Sequence, residues 1–366
     1  MKSILYYTHV PWNWIKQRPQ FIAEELSEDY RVDIFQEKPY VNNLVTQAVS
    51  PLKVTTLFRL PMNRITFVRR LNSVLTGRQL KNKTKAYDYI WITSPTLYRS
   101  IKSVISPQHT VIYDCMDDIL AFPAIAEDAG WKKEMEKAEE DLIRRADVVL
   151  CTSEHLREKL KRRYNIENKE ITIINNAINI YDKKSTATLP ENIREAFQAH
   201  PKNMTYIGTI SGWFDFNTVL KTLENHPDLY LFLFGPSEVT IPAHERLLYF
   251  GPVAHELVYE VMEKAGVLIM PFILNELILS VNPVKLYEYI YCQKTTIAKK
   301  YGETLKFGDY IYLYDDKTDF DLLIRQYCDN ELTLKHTTEE YQKFGEENTW
   351  KARVSRIKKK LEQIQK

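Results

Sequence analysis

Glycine is scarce in this sequence: 10 of the 366 residues are glycine, roughly 2.7% against an average of about 7%. The loop after the first predicted strand, residues 8–14, contains none, so the chain has no G-x-G-x-x-G fingerprint there. A phosphate loop with its lysine is also missing. These absences argue against a nicotinamide dehydrogenase and against a P-loop nucleotidase.

The cysteines lack the spacing of a metal site. All four lie at least 36 positions apart, with no C-x-x-C pair: Cys115, Cys151, Cys292 and Cys328. We expect reduced, mostly buried thiols, no metal and no cofactor. The N-terminal apolar run is too short for a signal peptide, and no stretch approaches 18 apolar residues. We therefore expect a cytoplasmic protein that does not span a membrane.

Charge is balanced overall but not locally. Fifty basic and 48 acidic residues give a net charge of +2, which argues against a surface built for nucleic acid. Residues 51–87, however, contain nine basic residues and no acidic one, so the rest of the chain sums to 2 − 9 = −7. Within that segment a helix is predicted, and its apolar side chains cluster in one sector with Arg69 and Arg70 outside it: Phe67, Val68, Leu71, Val74 and Leu75.

Three interpretations of residues 51–87 remain open. A basic amphipathic helix suits a peripheral protein on the anionic inner face of the cell membrane, and such a location would fit a lipid-linked acceptor. The alternatives are a helix packed on the sheet with a solvated basic face, and a nucleic-acid surface.

Short strand-like runs alternate with amphipathic stretches in both halves of the chain, which predicts parallel sheets with helices on both faces. The polar stretch after Ile174 predicts a linker. We expect an α/β protein with two Rossmann-like, doubly wound domains separated by a cleft. The predicted domains are residues 1–180 and 200–335, with C-terminal helices over 337–366 that pack back across both.

Ligands of such sheets bind at the carboxyl ends of the strands, so the loops there hold the candidate residues. Arg18 precedes Pro19 at a predicted helix start, where a cation and free N–H groups suit an anion. Lys285 and Glu288 lie in the first turns of a helix after Pro283, an arrangement that suits a diphosphate and a ribose. The alternatives are a surface arginine at a cap and an ordinary surface ion pair.

Three acids follow another predicted strand: Asp114, Asp117 and Asp118. Clustered carboxylates raise one another's pKa, which suits a general base, and Asp117 and Asp118 are the catalytic candidates. His9, at the end of the first strand, is a rival candidate. The alternative is that Asp117 or Asp118 caps the next helix and Asp114 is structural.

Several motifs in order resemble those of the GT-B glycosyltransferases, especially family 4-like bacterial enzymes of polysaccharide and teichuronic acid synthesis. The motifs are Gln17 to Gln20, Tyr113 to Asp118, Tyr206 to Gly208, Trp213 to Asp215, Phe234 to Pro236, Gly251 to Val253 and Asn282 to Tyr289. The resemblance spans most of the chain.

This resemblance implies a donor site in the C-terminal domain. Lys285 would neutralise the diphosphate and Glu288 would bind the ribose, while the backbone near Pro252 and Val253 would read the base. The remaining donor-binding candidates are Gly208, Thr209, Gly235, Asn282, Pro283 and Val284. In the N-terminal domain, Trp12, Gln17 and Arg18 are candidates for contacts with phosphate or acceptor.

The chain departs from the family pattern at two places. Ser280 stands eight positions before Glu288, where the family often has a second glutamate, and Glu276 is a candidate substitute. Thr209 and then Phe214 stand where an arginine and a lysine are common.

We predict a hexosyltransferase that moves a sugar from a nucleotide donor, a UDP-sugar, to a cell-wall or surface polysaccharide acceptor. Retaining and inverting stereochemistry remain open, as do two other functions: a nucleotide-sugar epimerase of the same fold, and a non-catalytic nucleotide-sugar-binding assembly protein.

Overall fold

The computed structural model describes residues 1–13, 16–37, 51–62, 65–180 and 188–364. The chain divides into two compact units. Unit 1 comprises Met1–Asn176 together with Trp350–Lys366, and unit 2 comprises Ala177–Thr349. This division lies near the predicted boundary at residue 180, and the C-terminal segment 337–366 contributes residues to both units.

Unit 1 is built on a sheet of seven parallel strands in the order β3-β2-β1-β4-β5-β6-β7. The central strands are buried on both faces, as expected for a parallel sheet covered by helices. The strands are β1 Ser3–Thr8, β2 Arg31–Glu37, β3 Lys53–Leu57, β4 Tyr89–Ile92, β5 Thr110–Cys115, β6 Val148–Cys151 and β7 Thr172–Ile173.

Six helices of unit 1 alternate with these strands, and a seventh comes from the C-terminal segment. They are α1 Arg18–Leu26, α2 Thr66–Leu80, α3 Pro95–Ile101, α4 Pro123–Ala126, α5 Ala129–Arg145, α6 Glu154–Tyr164 and α13 Trp350–Gln363. The side chains of Asp128 and Ser153 cap α5 and α6. Trp350 at the start of α13 stacks on Phe21 of α1, with ring centroids 5.3 Å apart.

Unit 2 contains a six-stranded parallel sheet in the order β10-β9-β8-β11-β12-β13. The strands are β8 Asn203–Ile207, β9 Tyr230–Phe234, β10 Leu247–Gly251, β11 Val267–Met270, β12 Thr296–Lys299 and β13 Tyr312–Tyr314. The helices are α7 Glu191–Ala199, α8 Phe216–Asn225, α9 Val258–Lys264, α10 Val284–Tyr291, α11 Lys317–Cys328 and α12 Thr338–Glu347. The α/β class and the two doubly wound sheets are confirmed.

The elements that were not predicted include the edge strand β3 and the helices α3, α4 and α7. Cys115, Cys151 and Cys292 are buried and Cys328 is half-buried, all as free thiols. Within the described ranges, no helix is both long and apolar enough to cross a bilayer.

Candidate functional site

In unit 1 the candidate residues follow β1, β4 and β5, three neighbouring strands whose carboxyl ends meet at one edge of the sheet. His9 follows β1, and its Nδ1 lies 2.8 Å from the hydroxyl of Thr93, which follows β4. The backbone N–H of His9 also donates to that hydroxyl, at 3.1 Å. Thr93 therefore orients His9. The sequence analysis did not select Thr93, although its place directly after a strand was a signal that pointed to it.

Arg18 is a buried link between elements of unit 1 and not a surface cation. Its Nε lies 3.1 Å from both carboxylate oxygens of Asp114, and its Nη2 lies 2.8 Å from one of them. Its Nη1 donates to the carbonyl of Ile174 at 2.7 Å. Both side chains of the ion pair are almost fully buried. These contacts give Arg18 a structural role, and the expectation that it meets a phosphate has no support in them.

Asp118 is also held in a buried ion pair. Its Oδ2 lies 2.8 Å from Lys159 Nζ and 2.9 Å from Arg163 Nη2. Desolvation raises the pKa of Asp118, but the hydrogen bonds and charges of Arg163 and Lys159 outweigh it and hold the pKa below its ordinary value. The sequence left open that Asp117 or Asp118 caps the next helix. Neither side chain does so, and the side chain of Asp118 accepts no capping hydrogen bond from the short 3-10 turn that follows it. A paired, low-pKa carboxylate is poorly suited to accept a proton.

Asp117 differs from its two neighbours. It is half-buried, and its carboxylate makes no hydrogen bond or ion pair with any residue in the described part of the chain. Desolvation raises the pKa of Asp117 to about 6; the charge of Arg18 opposes the shift, and the charges of Asp118 and Asp114 add to it. Of the three acids, Asp117 therefore has the pKa closest to neutrality.

His9 is the rival base. The residue is exposed at the surface, yet desolvation by surrounding protein atoms lowers the pKa of its imidazole to about 4. A base works best when its pKa is near the working pH, so Asp117 is the better matched of the two at neutral pH.

The other candidates of unit 1 support the local fold. Trp12 is buried, and its backbone N–H donates to the side chain of Gln36 at 2.7 Å. Gln17 is the N-cap of α1 and forms a capping box with Gln20. Among the described residues, no group of three or more His, Cys, Asp or Glu side chains is arranged to hold a metal ion.

In unit 2, glycines lie at the ends of three neighbouring strands: Gly208 follows β8, Gly235 follows β9, and Gly251 is the last residue of β10. Gly235 has φ +126°, and a Cβ atom there would lie 2.1 Å from the carbonyl oxygen of Gly208. The N–H of Gly208 donates to Phe234, and the N–H of Gly235 donates to Gly251, both at 2.9 Å. Glycine is required at 235 because no side chain fits. The result is a closely packed backbone edge, with the Tyr206 side chain beside Gly208 and the Tyr249 hydroxyl donating to the carbonyl of Gly235 at 2.9 Å.

The candidate residues in the loops beside these glycines are Thr209, Pro252 and Val253. Thr209 is half-buried, and its carbonyl accepts a hydrogen bond from the Tyr206 hydroxyl at 2.9 Å. Pro252 is exposed, and Val253 is half-buried and packs on the core of unit 2. Pro252 is thus accessible to a ligand.

Helix α10 contacts the end of β8, the strand that leads into this glycine edge. Pro283 is its N-cap and Val284 is its first residue, so the helix follows the proline as expected. Lys285 Nζ lies 2.6 Å from Glu288 Oε2, in the i, i+3 ion pair that the sequence left as the alternative. The Tyr289 hydroxyl lies 3.1 Å from the backbone nitrogen of Ile207, the last residue of β8.

The side chain of Asn282 is directed into the protein. Its Nδ2 donates to Glu303 Oε2 at 2.9 Å, and its Oδ1 accepts from the Tyr287 hydroxyl at 3.2 Å. Nothing in the sequence linked Glu303 to Asn282, because 21 residues separate them. Asn282 therefore holds the start of α10 in place, and any ligand contact by its side chain would break this network.

Ser280 is fully buried, and its hydroxyl donates to the carbonyl of Glu276 at 3.3 Å. Glu276 is exposed in the loop before it. A glutamate would not fit the enclosed position of Ser280 without rearrangement.

Comparison with known proteins agrees with this architecture. Residues 22–181 match the Glycosyltransferase Family 4 domain. This match covers 160 of the 366 residues, and the solved structures described below share the GT-B fold with the chain. The family 4 match lies almost wholly in unit 1, and the resemblance to family 4-like GT-B enzymes predicted from the motifs is confirmed.

A sequence relative of this chain is TuaH of Bacillus subtilis (strain 168), a protein named as a teichuronic acid biosynthesis glycosyltransferase. It is 24% identical over 247 residues, which cover 63% of this chain and 61% of that protein. The alignment thus spans about three fifths of the relative.

Solved structures resemble the fold of the whole chain. Sucrose-phosphate synthase from Thermosynechococcus elongatus superposes with a TM-score of 0.74 at 13% identity, covering 100% of this chain and 99% of that chain. Anabaena HepE in complex with UDP-glucose superposes with a TM-score of 0.69 at 12% identity, covering 99% of this chain and 100% of that chain.

Proposed function

We propose that this protein is a hexosyltransferase that transfers a sugar from a UDP-sugar donor. Three observations support the donor class: the family 4 domain, the GT-B fold, and the UDP-glucose bound by the structurally similar HepE. The donor lies in unit 2 and the acceptor in unit 1.

The observation that carries the donor site is the hydrogen bond from α10 to the end of β8. Tyr289, in the second turn of α10, is hydrogen-bonded to Ile207, and this contact supports a position of the helix near the glycine edge that begins at Gly208. Lys285 is one helical turn before Tyr289, on the same side of the helix. A cation, the free N–H groups of a helix start and a glycine backbone together suit a diphosphate.

In this proposal the Lys285–Glu288 ion pair is the resting state of the site. Lys285 is half-buried, so its ammonium can exchange Glu288 for a phosphate oxygen without leaving the helix surface. Glu288 then accepts hydrogen bonds from the ribose hydroxyls. Gly208, Thr209 and Gly235 contribute backbone groups near the phosphates, and Pro252 and Val253 lie against the base.

We propose Asp117 as the group that takes the acceptor's proton if the reaction inverts the sugar's configuration. Its pKa of about 6 leaves it ionised at neutral pH while keeping it a useful base. Asp118 and Asp114 stabilise the loop around it. If the reaction retains configuration, the leaving phosphate takes that proton and Asp117 positions the acceptor.

The proposed acceptor is a cell-wall or surface polysaccharide, either free or lipid-linked, by analogy with the name of TuaH. The proposed location is the cytoplasm, with peripheral attachment to the inner face of the cell membrane through residues 51–87. The positive charge of that segment supports the attachment.

A thermal-shift screen of nucleotide sugars tests the donor site, because a ligand that binds the folded state raises the unfolding temperature. We expect a UDP-sugar to stabilise the protein, and Lys285→Ala and Glu288→Gln each to weaken its binding by about 1.5 to 3 kcal/mol. Lys221→Ala is the matched control, since it removes another i, i+3 pair of unit 2, with Glu224.

Unchanged donor affinity in both site variants, measured by calorimetry, would contradict the site assignment. Release of free UDP only when an acceptor glycan is present would support a transferase. Conversion of the donor sugar without an acceptor would indicate an epimerase. Donor binding with neither reaction would indicate a binding protein, which the serine at 280 makes the natural alternative.

A further inference from the structure

Helix α2 has its polar and apolar faces in an unusual arrangement. The residues that it buries are Arg69, Asn72, Thr76, Gly77 and Leu80, so the inward face is mostly polar. The residues that it exposes most include Phe67, Leu71 and Val74, whose exposed fractions are 73%, 37% and 52%. At about 100° per residue these three lie within about 60° of one another, opposite the buried face. We call them the outer stripe.

Specific polar contacts fix this orientation. The guanidinium of Arg69 stacks on Trp131 of α5, 4.3 Å from the ring centroid. Asn72 accepts from the backbone N–H of Leu60 at 2.7 Å and donates to the carbonyl of Leu60 at 3.0 Å. A rotation of α2 that buried the outer stripe would break all of these contacts. The outward position of the apolar side chains is therefore built into the packing.

The loop before α2 extends the apolar surface. Phe58, Met62 and Ile65 are exposed large hydrophobic residues in the described part of the segment that leads into the helix. Single exposed apolar residues are ordinary on a soluble protein, but six within 17 positions are a patch that normally marks a contact surface.

A basic groove lies beside α2, with a volume of about 520 Å³. Its cations come from three helical segments: Arg70 from α2, Arg99 and Lys102 from α3 and the turn after it, and Lys133 and Lys137 from α5. Two acids, Glu134 and Asp141, also line it, which leaves an excess of three positive charges. Arg70 is one helical turn from Phe67, so the groove adjoins the outer stripe.

We propose that the outer stripe and the basic groove form the surface with which unit 1 docks on an anionic lipid bilayer. The stripe enters the boundary between headgroups and acyl chains, and the groove cations contact lipid phosphates. This is how a peripheral helix binds, since apolar burial and attraction to anionic lipids add together. The inference specifies the partner of the membrane attachment proposed above and does not depend on the sugar-transfer reaction.

The charge of the surface selects a bilayer over the other occupants. Two copies of this chain meeting through the same face would bring two segments of nine cations and no acid together, and like charges repel. A nucleic acid would contact the cations through its phosphates but would leave Leu71 and Val74 in water, because aliphatic side chains offer bases no stacking surface.

Cosedimentation with lipid vesicles tests the docking surface, using the full chain without any sugar donor. We expect binding to vesicles that contain phosphatidylglycerol, weaker binding as salt rises, and little binding to pure phosphatidylcholine. Equal binding to both vesicle types, or no binding to the anionic ones at low salt, overturns the proposal. Neither result bears on donor binding, so failure here is distinct from failure of the proposed transferase.

Two variants separate the contribution of the groove cations from that of the net charge of the protein. Replacing four groove cations with glutamine (Arg70, Lys102, Lys133 and Lys137) should weaken vesicle binding several hundred-fold, at about fivefold for each charge. Replacing four exposed lysines of unit 2 (Lys202, Lys264, Lys300 and Lys343) changes the net charge equally and should weaken binding far less. Equal losses in both variants would mean that net charge alone attracts the protein, and would overturn the docking surface.

An environment-sensitive fluorophore on the outer stripe reports insertion into lipid. Its emission wavelength would not change if the protein were held at the vesicle by charge alone. A dye on Val74→Cys should shift to the blue on anionic vesicles, and a dye on Leu322→Cys, an exposed apolar site of unit 2, should not. The natural cysteines are buried or half-buried, so the introduced thiol reacts preferentially. No shift at 74 with vesicles bound, or a shift accompanied by dimerisation without vesicles, would show that the stripe does not enter lipid.

Discussion

Replacing Asp117 with asparagine should make the protein more stable at neutral pH, although most substitutions of half-buried residues destabilise. The pKa of Asp117 is about 6 in the folded state against an ordinary value of 3.8. Below pH 3.8 the carboxyl is protonated in both states and the shift has no effect. Between pH 3.8 and 6 the folded state holds the proton more tightly, so stability falls as pH rises. Above pH 6 the cost is fully present.

The magnitude follows from the shift. A difference of about 2.2 pKa units at about 1.36 kcal/mol per unit gives an upper limit of about 3 kcal/mol at pH 7. Because Asp117 is half-buried, we discount this limit for screening by solvent and expect about half of it, or ~1.5 kcal/mol. Asparagine has nearly the same shape and no charge, so Asp117→Asn should recover this amount. For a unit of this size, the unfolding temperature should rise by about 3 to 6 °C.

Thermal unfolding of the wild type and Asp117→Asn at a series of pH values from 4 to 7.5 measures the effect. The difference in unfolding temperature should be near zero at the acid end and grow until about pH 7. Asp118→Asn is the contrasting variant, because it leaves Lys159 and Arg163 beside a neutral side chain and should destabilise. The reasoning fails if Asp117→Asn destabilises at pH 7, or if its effect does not change with pH.

If Asp117→Asn stabilises the fold and also lowers turnover, the carboxylate serves the reaction at a cost in folding stability. Functional groups often have such a cost. A variant that loses activity in proportion to folded protein would instead indicate a structural role. Turnover and donor affinity should therefore be measured on the same preparation, with a large loss of turnover and little change in donor affinity expected.

Three further results are expected. Arg18→Met should lower the free energy of unfolding in urea by about 3 to 5 kcal/mol, because it leaves Asp114 buried without its ion-pair partner. Adding Asp114→Leu should recover part of this loss, and equal stability of the single and double variants would contradict the reasoning. Gly235→Ala should destabilise by several kcal/mol, since its Cβ would meet Gly208, whereas Gly212→Ala should have little effect because nothing lies within 4 Å of its Cβ; similar unfolding temperatures would refute the close approach. Transfer activity should survive treatment with a chelator, and its loss with recovery on adding a divalent metal would refute the proposed metal-independent reaction.

The alternation of apolar runs with amphipathic stretches was enough to predict the fold, because parallel strands buried on both faces have a strong local signal. The edge strand β3 was not predicted because residues Lys53–Leu57 are mostly exposed or half-buried and lack that signal. Helix α2 was predicted, but the sequence left open whether its apolar sector faces the sheet or points outward. The buried contacts of Arg69 and Asn72 direct that sector outward.

The candidate site was predictable only to the level of loops. The rule that ligands bind at strand ends located His9, Asp117 and Gly208. It could not separate Asp117 from Asp118, since the difference lies in two cations of α6 about 40 residues further on. The role of Arg18 depends in the same way on a partner 96 residues away.

The order of the chain bears on how the protein forms during synthesis. Unit 1 is completed by α13, whose Trp350 stacks on Phe21 and whose Val354, Ile357 and Leu361 are buried, yet all of unit 2 is translated in between. At about 5–20 residues per second, the ribosome needs roughly 10 to 35 s to make those intervening residues. During that interval the surface of unit 1 that contacts α13 is exposed, so unit 1 cannot complete its packing until the last residues have been made. A gene rearranged to encode α13 ahead of β1 would remove the delay.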